Sequence, residues 1–105
     1  MPNETVAEEN RPLGVTPAAP WRVSAVTVLP GFRLAVSFKD NSSGIVDMSA
    51  LVSSPEAGIF RALQDPDLFG KADIELGAVT WPNGADLDPA WMYEEIARQG
   101  EWRIV

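Results

Sequence analysis

The sequence predicts an α+β fold: an antiparallel three-stranded meander plus a two-stranded hairpin, with two main helices and a short one-turn helix. Three observations carry this reading. β-branched and aromatic residues alternate with small or polar ones between Trp21 and Lys39. Clusters of Pro, Gly, Asn and Ser punctuate the chain between short apolar runs. Two Pro-led segments, at Pro55 and Pro89, precede apolar residues at helical spacing.

Residues 1–20 hold four of the nine prolines and few large apolar side chains, which predicts a disordered N-terminal arm ahead of one small domain, 21–105. In the first strand Val23, Ala25 and Thr27 alternate with Ser24, Val26 and Val28, and Pro30-Gly31 ends the run in a turn. The second shows the cleanest alternation: Phe32, Leu34, Val36 and Phe38 on one face, Arg33, Ala35, Ser37 and Lys39 on the other. Turn formers 40–44 lead into a third strand, "GIVDMS". A helix is expected next, with Ser53 as N-cap, Pro55 in its first turn and Ile59, Phe60 and Leu63 as its apolar stripe, weakened at Gly58. Asp65 and Pro66 open a one-turn helix. Two strands meet around Gly77, and a closing helix from Pro89 to about Gln99 turns Met92, Tyr93, Ile96 and Ala97 to one face.

Composition excludes several chemistries. With no cysteine the chain holds no disulfide, thiolate nucleophile or zinc-thiolate site, and with no histidine it holds no Ser-His triad or imidazole base. The glycines stand singly, so no phosphate-cradling loop is present. The opening residues lack the basic and apolar regions of a secretion signal, and no apolar run approaches a membrane span, so a cytoplasmic protein is expected. A formal charge of −7 repels phosphate backbones, and direct nucleic-acid binding is not expected. The negative charge is concentrated from Asp65 to Glu101, where nine acids face Lys71 and Arg98.

The stretch "TWPNGADLDP" is the most distinctive in the chain. Trp81 ends a strand, Pro82 fixes φ for a turn, Asn83-Gly84 tolerate positive φ, and Asp88 before Pro89 has the N-cap, N1 arrangement. A turn and a cap account for all of these residues. The competing reading makes Asp86 and Asp88 an acid-base pair or, with Asn83, a hard-cation site. Against it, a chain this small leaves little room for a carboxylate-flanked cleft, and Gly84 precedes both aspartates, unlike a calcium loop. Neither a catalytic residue, a metal nor a cofactor is therefore expected. Asp47 is expected to cap the turn that follows it, with a bond to the Trp81 loop as the alternative. Trp81 reads as core. Trp91, Glu94, Glu95 and Trp102 form a candidate interface, with sealing of the core rim as the alternative for the aromatics.

With these segments placed, the chain resembles the bacterial family called domain of unknown function 2442. The resemblance runs from about Trp21 to Ile96 and is carried by "VSAVTVLPGFRLAVSF", "GIVDMSAL" and "GIFRALQDPDLFGKADIELGAVTWPNGADLDPAWMYE", above all by Trp81-Pro82-Asn83-Gly84 with Asp86, Leu87 and Pro89. It implies a small α+β domain without established catalysis. Such domains occur alone, beside another small protein in two-gene arrangements like toxin-antitoxin pairs, or joined to a helix-turn-helix domain. The expected function is a non-enzymatic protein-binding module, antitoxin-like or a regulatory partner of a small, basic protein encoded nearby. The alternative is a small regulatory or metabolite-sensing domain, as in nitrogen metabolism, with a ligand near the Trp81 turn.

The proposed arm yields a direct test. Too little apolar area is present in residues 1–20 to offset an ordering cost of about 1–2 kcal/mol per residue. Deleting them should leave the thermal midpoint nearly unchanged in calorimetry, whereas a drop of many degrees would show that the arm docks on the domain.

Overall fold

The computed structural model describes residues 19–104. Of the arm expected at 1–20, residues 1–18 lie outside the described residues. Ala19 and Pro20 open the described chain in a turn, in which the Arg22 N–H donates to Ala19 O (3.0 Å).

Strands β1 (Val23–Leu29), β2 (Arg33–Phe38) and β3 (Ser43–Asp47) form the expected antiparallel meander. The sheet does not stop there. Strand β6 (Glu101–Arg103) pairs in parallel with β3, giving a mixed four-stranded sheet in the order β1-β2-β3-β6. The second sheet is the hairpin β4 (Asp73–Glu75) and β5 (Ala78–Thr80), turned by Leu76 and Gly77 at φ 54° and 80°. The N–H of Val23 donates to Gly77 O (2.9 Å), which ties this hairpin to the start of β1.

Period-2 alternation decides the buried face of β2: Leu34, Val36 and Phe38 are buried, while Arg33 is exposed. In β1 the expected grouping of Val23 with Ala25 and Thr27 is corrected by an irregularity in register between Val23 and Ala25. That shift changes parity, so Val23 is buried and Val26 and Val28 turn inward, leaving Ala25 and Thr27 exposed.

The long helix expected from Ser53 is also corrected. It is two elements: α1 (Ser49–Ser53) and a 3-10 helix (Gly58–Gln64). Ser53 is the last residue of α1 and not an N-cap. Ser54 takes the extended conformation (ψ 139°) favoured before a proline, which stops α1 ahead of Pro55. Gly58 sits at φ 60°, a left-handed conformation no helix interior accommodates, so the chain restarts there. The apolar stripe is correspondingly reduced: Leu63 is buried and Phe60 half-buried, but Ile59 is exposed. The Gln64 side chain donates to Val52 O and holds the two pieces together. Asp47 accepts from the N–H (3.0 Å) and hydroxyl (2.7 Å) of Ser49 and so caps the first turn of α1.

Helix α2 (Pro66–Phe69) is capped by Asp65, which accepts from the Asp67 N–H (2.9 Å). Helix α3 (Pro89–Gln99) buries Met92 and Ile96 and half-buries Tyr93, whereas Ala97 is exposed, contrary to the expected face. Gly44 in β3 lets α3 approach: a Cβ there would collide with the Ile96 side chain and lie 2.9 Å from Gly100 O. Gly100 at φ 78° ends α3 in the left-handed conformation and reverses the chain into β6. No helix among the described residues is long and apolar enough to cross a membrane.

Tyr93 joins the helix layer to the β2–β3 turn. Its ring packs edge-on against Phe38 (5.1 Å), and its hydroxyl donates to Asp40 (2.6 Å). The Ser42 hydroxyl, the Tyr93 phenol and the Ser42 N–H hold the Asp40 carboxyl below its ordinary 3.8. The bond to Asp40 in turn raises Tyr93 above its ordinary 10.0. Asp40 thus contributes stability above pH 3.8 that is lost as pH falls through its folded value. Tyr93 contributes stability below pH 10.0 that is lost as pH rises through its folded value. In Tyr93→Phe the alkaline difference should vanish, and the acid limb should shrink without disappearing because Ser42 still binds Asp40. Thermal midpoints measured against pH check this; an alkaline limb identical to wild type would overturn the assignment.

Candidate functional site

The Trp81 stretch is a compact hairpin end followed by a helix cap. Trp81 and Ala85 are joined by Trp81 N–H to Ala85 O (2.9 Å), and the Gly84 N–H donates to Trp81 O (3.0 Å) across Pro82 and Asn83. Gly84 lies at φ 93°, where a side chain would be strained. The Asn83 carboxamide is committed at both ends, accepting from the Ala85 N–H (3.1 Å) and donating to Ile59 O (3.1 Å). Trp81 is buried, its ring stacked at a tilt on Phe69 (5.9 Å), with its indole N–H donating to Phe69 O (3.0 Å). Asp86 forms a backbone bridge to Thr80, and the Leu87 N–H returns to Val79 O (3.0 Å). One Asp88 oxygen accepts from the N–H groups of Ala90 (3.0 Å) and Trp91 (3.3 Å), with Pro89 in the first helical turn. The polar side-chain groups of Trp81, Asn83 and Asp88 are therefore all engaged with backbone, those of Trp81 and Asn83 reaching the distant carbonyls of Phe69 and Ile59, and the Asp86 side chain is exposed.

What the sequence does not reveal is that this stretch borders a cleft. A cavity of about 460 Å³ opens beside the start of α3. Asp86, Asp88 and Glu95 line it together with Trp91 and Trp102. Leu87, Leu51, Phe60 and Ile104 supply the rest of its apolar lining, and Arg103 its basic group. Trp91 is 56% exposed and stacks at a tilt on Trp102, with ring centroids 5.4 Å apart. Trp102 is 7% exposed, so it is a core residue that presents one wall of the cleft. Glu94 is exposed but does not line the cleft, and Glu95 is paired with Arg98 and bonded to Gln99.

Asp86 and Asp88, with Glu95 already paired to Arg98, against the Arg103 guanidinium leave the cleft mildly acidic at its polar positions and aromatic between them. Such a surface is chemically suited to an aliphatic stem carrying a cation, with the stem on the rings and the cation against the carboxylates or the face of Trp91. Among the described residues no cluster of three or more Asp or Glu is arranged to hold a metal ion. The cleft residues missed in the sequence are Leu51, Phe60, Arg103 and Ile104. The available signal was Gly100 followed by the alternating Glu101-Trp102-Arg103-Ile104, a helix stop leading into a strand.

Asp88→Ala should cost on the order of 1 kcal/mol in denaturant unfolding through loss of the cap. Asp86→Asn should change stability by less than about 0.5 kcal/mol. Calcium or magnesium that stabilised the wild type with micromolar saturation would instead establish a cation site at these residues.

No curated protein and no solved structure matches the chain. The family model described as "Protein of unknown function (DUF2442)" matches residues 23–98, which takes in the meander, the Trp81 stretch and nearly all of α3. The chain belongs to the DUF2442 family.

Proposed function

We propose that this domain is a non-enzymatic module that captures a basic segment of a partner protein in the cleft beside Trp91. The partner reading fits an antitoxin-like or regulatory companion of a small neighbouring protein. The observation that carries it is the pairing of an exposed tryptophan with an acidic rim: Trp91 stacked on Trp102, with Asp86, Asp88 and Glu95 around the same opening. An exposed ring backed by a buried one is rigid, and a rigid aromatic anchor loses little entropy on binding. The formal charge of −7, gathered largely between Asp65 and Glu101, steers a basic partner and opposes nucleic acid.

A non-catalytic role is supported by the commitments of the polar groups. Asp88 is held by two backbone amides, Asn83 is used at both ends, and Glu95 is paired with Arg98. The volume of the cleft also suits a small metabolite, since drug-sized ligands occupy about 300–1,000 Å³. A metabolite-sensing domain is accordingly the second reading, with Asp86 and Leu87 linking the ligand to the Trp81 turn.

Co-expression with the product of the adjacent gene, followed by binding kinetics on the purified pair, separates these readings. Charge reversal at Glu94 and Glu95 to lysine should slow association about tenfold at low salt. Trp91→Ala should speed dissociation by a factor on the order of 30. Tight DNA binding by the isolated chain at physiological salt, with no binding of the neighbouring protein, would refute the proposal.

A further inference from the structure

We propose that two copies of this chain associate by pairing their β6 strands antiparallel around a two-fold axis at Trp102, joining the sheets of both copies edge to edge. This goes beyond the partner cleft and does not depend on it.

Strand β6 is the last strand of the main sheet, and among the described residues nothing pairs with its outer side. Gly100 O accepts from the Ile45 N–H (3.5 Å), and the Ile104 N–H donates to Asp47 O (3.0 Å). The backbones of Gly100 and Ile104 are therefore directed at β3. Backbone polar groups along a strand alternate sides, so Glu101 and Arg103 present their N–H and C=O groups to the open edge. An open edge of this kind is a template for another strand.

The side chains on that edge select the occupant. Glu101 and Arg103 lie on the same, outer face of the strand, on either side of Trp102, and carry opposite charges. In an antiparallel pair centred on Trp102, Glu101 of each copy stands opposite Arg103 of the other. Those are the residues whose backbone groups are available, so each such pair exchanges both of its N–H···O bonds. Within one copy the Arg103 guanidinium lies 3.7 Å from Glu101 and 3.9 Å from Asp47, long contacts of an exposed side chain that cost little to exchange for a partner across the axis. Parallel pairing in register would instead set Glu101 beside Glu101 and Arg103 beside Arg103, which is repulsive. The three-residue sequence is thus self-complementary in one orientation. Trp91, exposed and stacked on Trp102, supplies apolar surface next to a ladder that is short by itself. The small contact and the −7 charge on each copy make this a weak, concentration-dependent dimer.

The test is sedimentation equilibrium of the full chain from roughly 10 µM to roughly 1 mM, a range that spans weak association constants. Wild type should shift from monomer to dimer across it. Glu101→Arg and Arg103→Glu should each raise the dissociation constant at least about tenfold, because each places like charges across the axis. An equimolar mixture of the two variants should recover association as a heterodimer: the first carries arginine at both positions and the second glutamate at both, so every cross-axis pair is again of opposite charge. Circular dichroism confirms that each variant is folded. Arg103→Glu also sets a carboxylate near Asp47, so if it fails to fold, Glu101→Arg against wild type decides the matter. A wild type that remains monomeric at the highest concentration, or charge variants that associate as wild type does, would overturn the proposal.

Discussion

Ile96 lies over the bare backbone of Gly44, closer than any side chain at position 44 would permit. This contact fixes the height of α3 above the sheet. It also places the end of the helix at the sheet margin, where Gly100 in the left-handed conformation turns the chain back beside β3. Strand β6 is a consequence of that turn: three residues are too few to form a strand alone, and they do so only because the chain has been delivered alongside β3. Trp102, paired in register with Val46, then enters the core and gives Trp91 something to stack on. The cleft, its aromatic wall and the open strand edge all follow from one glycine under one isoleucine.

A second set of contacts holds the other end of the domain. Phe32 meets Phe69 edge-on at 5.3 Å, and Phe69 lies beneath Trp81, whose indole N–H is satisfied by Phe69 O. Buried tryptophan requires such a partner, and the carbonyl of α2 supplies it. The Trp81 turn is consequently stiff, so Asp86, Leu87 and Asp88, which follow it, are presented to the cleft from a fixed backbone. The acids that look like a reactive pair in the sequence are spread along a hairpin exit and a helix cap. Their combined effect is a local negative potential at the mouth of an aromatic cleft.

Much of this was legible from residue order alone. The alternation Leu34-Val36-Phe38, the Pro30-Gly31 turn, the Asp65-Pro66 and Asp88-Pro89 caps and the Leu76-Gly77 hairpin are local, since each depends on dihedral preference or hydrogen bonding within a few residues. The expected helix from Ser53 failed for a local reason as well: Pro55 and a left-handed Gly58 outweighed a stripe of three apolar residues. Composition likewise decided which chemistries are closed to the chain, because absent histidine and cysteine remove those side chains wherever the backbone goes.

Tertiary structure decided the rest. The parity change in β1 depends on register with β2, and neighbouring residues do not encode it. The parallel pairing of β6 joins residues more than fifty positions apart, and it requires α3 to be docked first. The cleft gathers Leu51, Phe60, Asp86, Trp91 and Trp102 from five separate stretches, none of which carries a binding motif. The sequence determined the meander, the short hairpin, the Asp65 and Asp88 caps and the sign of the charge, because those are set by short-range preference and composition. Which surfaces face one another, and therefore where the cleft opens, was decided by long-range packing around a glycine whose role is visible only when Ile96 lies on it.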